Sequence, residues 1–65
     1  MKEKILNVLA KHPDGLRLRS IGSALGVWHV KLIADITELE AEGKVVSYTH
    51  SDRANMEFYN IWKLA

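Results

Sequence analysis

The sequence predicts a small α+β domain in which three helices are followed by a C-terminal β-hairpin. Apolar residues recur at helical spacing over the first part of the chain, and the pattern becomes typical of β-strands after Gly43. With 65 residues, of which 48% are hydrophobic, the chain has the length of one domain and enough apolar side chains for a core. One domain spanning residues 1–65 is therefore expected.

The first helix is predicted from about Lys2 to Lys11, where lysines separate apolar residues at helical spacing. The turn sequence Pro13-Asp14-Gly15 ends this helix, and Leu16-Arg17 is predicted as a short strand. The apolar positions of the helix are Ile5, Leu6, Val8 and Leu9.

Two shorter helices follow. The second is indicated by Leu18, Ile21 and Leu25 on one face, and Gly26 comes where a helix end favours a left-handed residue. The third is predicted from about His29 to Glu42, and Gly43 ends it. Its core stripe consists of Leu32, Ile36 and Leu39.

The hairpin is predicted because the residue pattern after Gly43 is no longer that of a helix but that of two strands around a polar loop. Lys44–Thr49 is rich in β-branched residues, His50–Asn55 is polar, and Met56–Leu64 alternates between two faces. Helices this short are only marginally stable in isolation. We therefore expect the apolar faces of the three helices to pack together, with the hairpin covering one side. Phe58, Trp62 and Leu64 are predicted to be the contribution of the hairpin to the core.

The charge is unevenly distributed. The net charge is only +1, below that of strongly basic nucleic-acid-binding domains. Five basic and two acidic residues give +3 over residues 1–28, one basic and four acidic residues give −3 over 29–42, and three basic and two acidic residues give +1 over 43–65. The predicted third helix is thus the acidic segment.

The inventory of reactive groups argues against an enzyme. The chain has no cysteine and no glycine-rich phosphate loop, and no pair of His12, His29 and His50 has the spacing of metal ligands. We therefore expect no cofactor and no metal. No apolar run approaches the ~20 residues of a membrane span and no signal peptide is evident, so we expect no membrane insertion and a cytoplasmic location.

Three segments resemble winged helix-turn-helix proteins. Ile21–Val27 resembles their helix-turn segment, Leu39–Val45 resembles the family's "L-E-x-x-G-x-V" end of the third helix, and Ile61–Ala65 resembles the end of the last strand of the hairpin, or wing. The similarity covers essentially the whole chain. It implies a winged helix-turn-helix fold and a small DNA-binding protein, such as a transcriptional regulator that acts as a dimer.

The resemblance implies where double-stranded DNA would bind. In the family, the third helix usually enters the major groove, the wing contacts the backbone or the minor groove, and the second helix places basic groups near phosphates. This places Arg17, Arg19 and Arg53 near phosphates and His29 and Lys31 near base edges. Ordinary surface arginines and a Lys31–Asp35 ion pair are the competing interpretations. On the solvent face of the third helix, Ala34 and Thr37 would meet the bases.

That same solvent face departs from the pattern of a base-reading helix. Apolar residues stand there beside four carboxylates, where Arg, Lys, Asn or Gln are usual. The alternative is a protein-interaction or accessory module without nucleic-acid binding, with a homodimer or another protein on this face. Trp28 is expected to be a core plug between helices or, if exposed, an anchor for a partner. The partner interface would then comprise Trp28, Val30, Ile33 and Ala41.

The sequence resembles two specialised groups of winged-helix proteins more weakly. The ending Ile61–Ala65 is similar to Zα-type domains, but Ile33 and Thr37 stand where that family uses Asn and Tyr, and the wing has no proline. Left-handed DNA is therefore not expected as a ligand. FeoC-like transport accessory proteins share the size and the "L-E-x-x-G-K" segment, but the cysteines that many of them carry in the wing are missing.

Overall fold

The computed structural model describes residues 1–65 as three helices and a two-stranded antiparallel sheet, which confirms the predicted fold class. Helix α1 spans Lys2–Ala10 and α2 spans Leu18–Leu25. A 3₁₀ turn at His29–Leu32 leads into α3 at Ile33–Ala41. Strands β1 and β2 span Val45–Asp52 and Glu57–Leu64. None of the helices has the length and apolar character needed to cross a membrane.

The core is formed where the three predicted stripes meet. Each helix contributes fully buried side chains because its apolar residues share one face, and β1 adds the first residue after the turn. Leu16 and Trp62 pack against this cluster from the sheet side and are half-buried. The fully buried apolar residues are Ile5, Leu9, Ile21, Leu32, Ile36, Leu39 and Val45.

Two glycines make the helix-turn segment compact. Gly26 has φ +70°, the left-handed conformation predicted for the end of α2. Gly22 lies buried within α2, and a Cβ atom there would lie 2.8 Å from the carbonyl oxygen of Val27 and 3.0 Å from the Cα of His29. The backbone after α2 can therefore approach the helix only because residue 22 lacks a side chain.

The third helix begins differently from the prediction. Its first four residues, His29–Leu32, form a 3₁₀ turn in which the N–H of Lys31 donates to the carbonyl oxygen of Trp28. Regular α-helix starts only at Ile33 and continues to Ala41. The sequence pattern could not distinguish the two, because apolar residues three apart fit either helix type.

The hairpin has a longer β1 and a tighter turn than predicted. Asp52 pairs with Glu57, so the polar residues 50–52 belong to the strand and four residues form the turn. Leu16 and Trp62 exchange two backbone hydrogen bonds, of 2.9 and 2.8 Å, so the short strand predicted at Leu16-Arg17 is a single-residue bridge on the free edge of β2. The hairpin is thus held to the segment before α2.

Three predicted core positions are wrong. Phe58 is 75% exposed because the hairpin projects beyond the body of the domain before it reaches this residue. Leu64, at the other end of β2, is also exposed. Trp28 is 64% exposed, since the core beneath the 3₁₀ turn is already filled by Leu32. Trp62 does pack against the core, as predicted.

Candidate nucleic-acid interface

The solvent side of the third helix forms a continuous, mostly apolar surface. We call it the outer face of α3 and define it by five exposed residues on the 3₁₀ turn and α3. Val30 is 44% and Ile33 is 49% exposed, and the hydroxyl of Thr37 donates to the carbonyl oxygen of Ile33 at 2.7 Å. Neither the wing nor the chain ends cover it. The five residues are Val30, Ile33, Ala34, Thr37 and Ala41.

Three of the four carboxylates on α3 and at its C-cap flank this face and have partners on other elements. Lys2 of α1 binds Glu38 at 2.7 Å and Glu42 at 3.2 Å. On the opposite flank, the hydroxyl of Ser47 donates to Glu40 at 2.9 Å. Hydrogen bonds to Glu38 and Glu42 raise the pKa of Lys2 above its usual value. Three of these four carboxylates are therefore directed toward α1 and β1.

The basic residues predicted at the interface have no such partners. Arg17, Arg19, Lys31 and Arg53 are all exposed, and none lies within 4.0 Å of a carboxylate oxygen. The Lys31–Asp35 ion pair considered as a competing interpretation does not form. No side chain caps the N-terminus of α2, where Arg17 and Arg19 lie. Uncompensated cations at a helix N-terminus favour an anionic ligand such as phosphate.

Arg17 is held by an aromatic residue of the wing. Its guanidinium carbon lies 3.6 Å from the centroid of the Tyr59 ring, which also contacts His50 with centroids 5.1 Å apart. On the same side of the hairpin, the hydroxyl of Tyr48 donates to the carbonyl oxygen of Asp14. These contacts link the wing to the start of α2. The sequence leaves the roles of both tyrosines open, because nothing local predicts that residue 17 lies beside residue 59.

The turn of the hairpin places Arg53 at the far end of the wing. Both carboxylate oxygens of Asp52 are occupied within the turn, by the N–H of Ala54 at 3.0 Å and the side-chain amide of Asn55 at 2.9 Å. These bonds order the turn and leave the guanidinium of Arg53 exposed. The predicted backbone-contacting residues therefore lie at the turn of the wing and at the start of α2.

Trp28 and His29 lie at the junction between α2 and the third helix. Their rings meet edge to face with centroids 6.4 Å apart, and His29 is half-buried against Gly22 of α2. Trp28, Val30 and Ile33 are the large exposed apolar residues of this region. The sequence-predicted DNA residues His29 and Lys31 thus share the 3₁₀ turn with the predicted partner residue Val30.

No protein-family model matches the sequence, and no curated protein matches it. Among solved structures, the chain is similar to the PcaV transcriptional regulator from Streptomyces coelicolor, in complex with its natural ligand, with a TM-score of 0.74 and 20% identity. The alignment covers 98% of this chain and 43% of the PcaV chain, so this chain spans less than half of that regulator. At this identity the similarity concerns the fold alone. The chain has a winged helix-turn-helix fold.

Proposed function

We propose that this protein binds double-stranded DNA through the outer face of α3 and the wing, and that it acts as a regulator of transcription rather than as an enzyme. The observation that carries the proposal is the separation of charge. Three of the four carboxylates on α3 and at its C-cap are engaged by Lys2 and Ser47, whereas Arg17, Arg19 and Arg53 are exposed and free of carboxylates. The fold of PcaV, itself a transcriptional regulator, adds support by analogy.

The roles of the residues follow from their chemistry. Arg17, Arg19 and Arg53 contact phosphates, which positions the domain without specifying a sequence. Lys31 and His29 donate to base edges at the start of the third helix. Ala34 and Thr37 offer methyl groups that suit the methyl group of thymine, so direct base selection along α3 is weak.

A single domain of this size can bury only a limited surface area on DNA. One small module buries about 600–1,000 Å² of protein surface on DNA, so two copies on neighbouring half-sites would double the contact. The proposal therefore includes a homodimer on DNA. Its dimer contact has to lie outside the outer face of α3, because that face cannot serve both partners at once.

Fluorescence anisotropy of a labelled duplex at about 50 and about 200 mM salt tests the proposal. We expect micromolar binding that weakens steeply with salt, and loss of binding in Arg19→Glu/Arg53→Glu. The matched control is Lys4→Glu/Lys11→Glu, which changes the net charge equally but lies on and just after α1. Equal loss in both double variants would indicate a general charge effect. Absence of binding at low salt would overturn the proposal.

A second function is favoured by the exposure of Trp28, Val30 and Ile33. Large apolar side chains grouped on a small surface are typical of protein-interaction sites, and Ala41 extends this surface along α3. In this alternative the domain binds a protein partner or a second copy of itself and has no nucleic-acid role. It predicts that Ile33→Asp abolishes the protein contact while the wild-type chain fails to bind DNA at any salt concentration.

A further inference from the structure

One edge of β1 carries backbone hydrogen-bonding groups without a partner. In an antiparallel ladder, the N–H and C=O groups of successive residues point alternately to the partner strand and away from it. Trp62 exchanges both of its backbone hydrogen bonds with Leu16, so it points away from β1, and its pair Ser47 points away from β2. The hydrogen bond from the N–H of Ala65 to the carbonyl oxygen of Lys44 fits the same alternation. We define the outer edge of β1 by the residues that point away from β2, which are Ser47, Thr49 and Ser51.

Nothing in the strand protects this edge from pairing with another chain. Edge strands of natural proteins commonly carry charges, proline or a bulge that prevents such pairing. Residues 45–51 include no Asp, Glu, Lys, Arg or Pro, and the pairing with β2 runs without a bulge along the whole strand. Thr49 and Ser51 are exposed, and Ser47 is half-buried. The outer edge of β1 is therefore suited to the addition of a further strand.

We infer that a second copy of this chain pairs with the outer edge of β1, so that the two hairpins form one four-stranded antiparallel sheet. Thr49 lies on the two-fold axis opposite Thr49 of the second copy, and Ser47 lies opposite Ser51. In this register the outward-pointing N–H and C=O groups of all three residues gain partners. The contact itself needs no DNA, and it gives the homodimer of the proposed function an interface outside the outer face of α3.

The side chains of β1 favour a second copy over an unrelated strand. Thr49 meets its own counterpart and Tyr48 meets His50 of the second copy, and threonine pairs and aromatic pairs across strands are stabilising. Lys44 precedes the strand and Asp52 ends it, an even number of residues apart, so both lie on the same face. The antiparallel alignment places Lys44 of each copy diagonally across from Asp52 of the other. Opposite charges therefore approach each other at both ends of the contact.

The same pairing covers an exposed aromatic residue of β2. Phe58 is 75% exposed and pairs with Ser51, on the side of the hairpin that carries Trp62 and faces the core. In the second copy, the residue opposite Ser51 is Ser47, which is joined to α3 on this side by the 2.9 Å hydrogen bond to Glu40. The pairing thus brings Phe58 toward α3 of the second copy, and its removal from water adds to the contact.

The oligomeric state of the full chain in the absence of DNA tests the inference. A contact along one strand edge is smaller than a standard interface, so we expect a dimer that dissociates on dilution. Sedimentation equilibrium over a wide range of protein concentration should show a transition from one chain to two. Amide exchange measured by NMR locates the contact. The N–H groups of Thr49 and Ser51 should exchange more slowly as the dimer forms, whereas that of Asn60 on the opposite edge should not.

Thr49→Pro and Asn60→Pro form a matched pair of variants. The two residues pair with each other, and each N–H points away from the other strand, so neither substitution removes a ladder hydrogen bond. Both variants lose the same hydrogen bond, from the hydroxyl of Thr49 to the side-chain oxygen of Asn60. Thr49→Pro should weaken dimerisation at least about tenfold, because it removes the two hydrogen bonds at the centre of the contact. Asn60→Pro should dimerise as the wild type does.

Thr49→Cys provides a test that does not depend on proline. The chain has no cysteine, and residues that exchange hydrogen bonds across an antiparallel ladder have Cα atoms about 5.5 Å apart, within the range of disulfides. Mild oxidation should therefore link Thr49→Cys into a covalent dimer and leave Asn60→Cys largely unlinked. Circular dichroism and thermal melting of every variant check that the fold is retained.

The outcomes separate this contact from the proposed function. A chain that stays monomeric at every concentration would overturn the inference, and salt-sensitive DNA binding by that monomer would leave DNA binding standing. A dimer that Ile33→Asp dissociates and Thr49→Pro does not would place the contact on the outer face of α3 and would also overturn the inference. A dimer that is sensitive to Thr49→Pro but binds no DNA at low salt would support the edge contact and overturn the proposed function.

Discussion

The guanidinium carbon of Arg17 lies 3.6 Å from the centre of the Tyr59 ring, and this contact joins the residue that precedes α2 to the second strand of the wing. The two residues are far apart in the sequence. Their contact depends on the Leu16–Trp62 bridge, which aligns the segment before α2 with the free edge of β2. The ring therefore restricts the side chain that we propose to bind phosphate.

Tyr59→Ala should weaken DNA binding by about twofold to fivefold, because a partly exposed cation–π contact contributes about 0.5–1 kcal/mol. Tyr59→Phe retains the ring and should bind as the wild type does. Anisotropy titrations at one salt concentration measure the difference. If Tyr59→Phe weakened binding as much as Tyr59→Ala, the hydroxyl rather than the ring would be responsible, and the positioning role of Tyr59 would be wrong.

Gly22→Ala should destabilise the domain by about 1–3 kcal/mol, although glycine to alanine in a helix usually stabilises. The added Cβ would lie 2.8 Å from the carbonyl oxygen of Val27 and 3.0 Å from the Cα of His29, and both neighbours are backbone atoms. For a domain of this size, thermal unfolding should shift down by about 4–8 °C per kcal/mol. Ser23→Ala, at the next and exposed position, is the control and should change little.

The helices, their core faces and the hairpin could be predicted because local rules determine them. The spacing of Leu32, Ile36 and Leu39 identifies a buried face, and Gly26 adopts the expected left-handed conformation. The exposure of side chains at the edges of the fold could not be predicted from local rules, since it depends on how far each element extends beyond the core. Trp28 and Phe58 are apolar residues in the right pattern, yet nothing packs over them.

For the candidate interface, the sequence predicts which residue types are present but not how they are arranged in the folded domain. The sequence shows the arginines, but the arrangement of Glu38 and Glu42 around Lys2 spans from α3 to α1 and requires the tertiary structure. The Arg17–Tyr59 contact is equally non-local. The positive φ of Met56 could not be predicted either, because the sequence contains no glycine in this turn.

Lys2 should stabilise the fold in a pH-dependent manner. Hydrogen bonds to Glu38 and Glu42 raise its pKa, so its contribution is fully present below pH 10.5, the ordinary value, and is lost as pH rises through the raised pKa. Lys2→Met should therefore melt at a lower temperature than the wild type at neutral pH, and the two should converge above that range. A difference that persists at high pH would mean that packing of the lysine chain, not its charge, stabilises the fold.

Met56→Gly should stabilise the hairpin by about 0.5–1 kcal/mol. The substitution removes the steric cost of the left-handed conformation, which exceeds the greater flexibility of glycine in the unfolded chain. Thermal melting at neutral pH measures the change, and Ala54→Gly in the same turn is the control, because residue 54 does not have positive φ. Equal or lower stability in Met56→Gly would show that Met56 makes a stabilising contact within the turn.

Ile33 and Ile36 provide a matched comparison of the two faces of α3. Ile36 is fully buried, and Ile36→Ala should cost about 2–5 kcal/mol because it leaves a cavity in the core. Ile33 is 49% exposed, and Ile33→Ala should cost less than about 1 kcal/mol because little apolar surface is lost and alanine favours helix. Chemical denaturation of both variants measures the two costs. A large cost at Ile33 would mean that the outer face of α3 is already covered in solution, most directly by a second copy of the chain, and the denaturation midpoint would then depend on protein concentration.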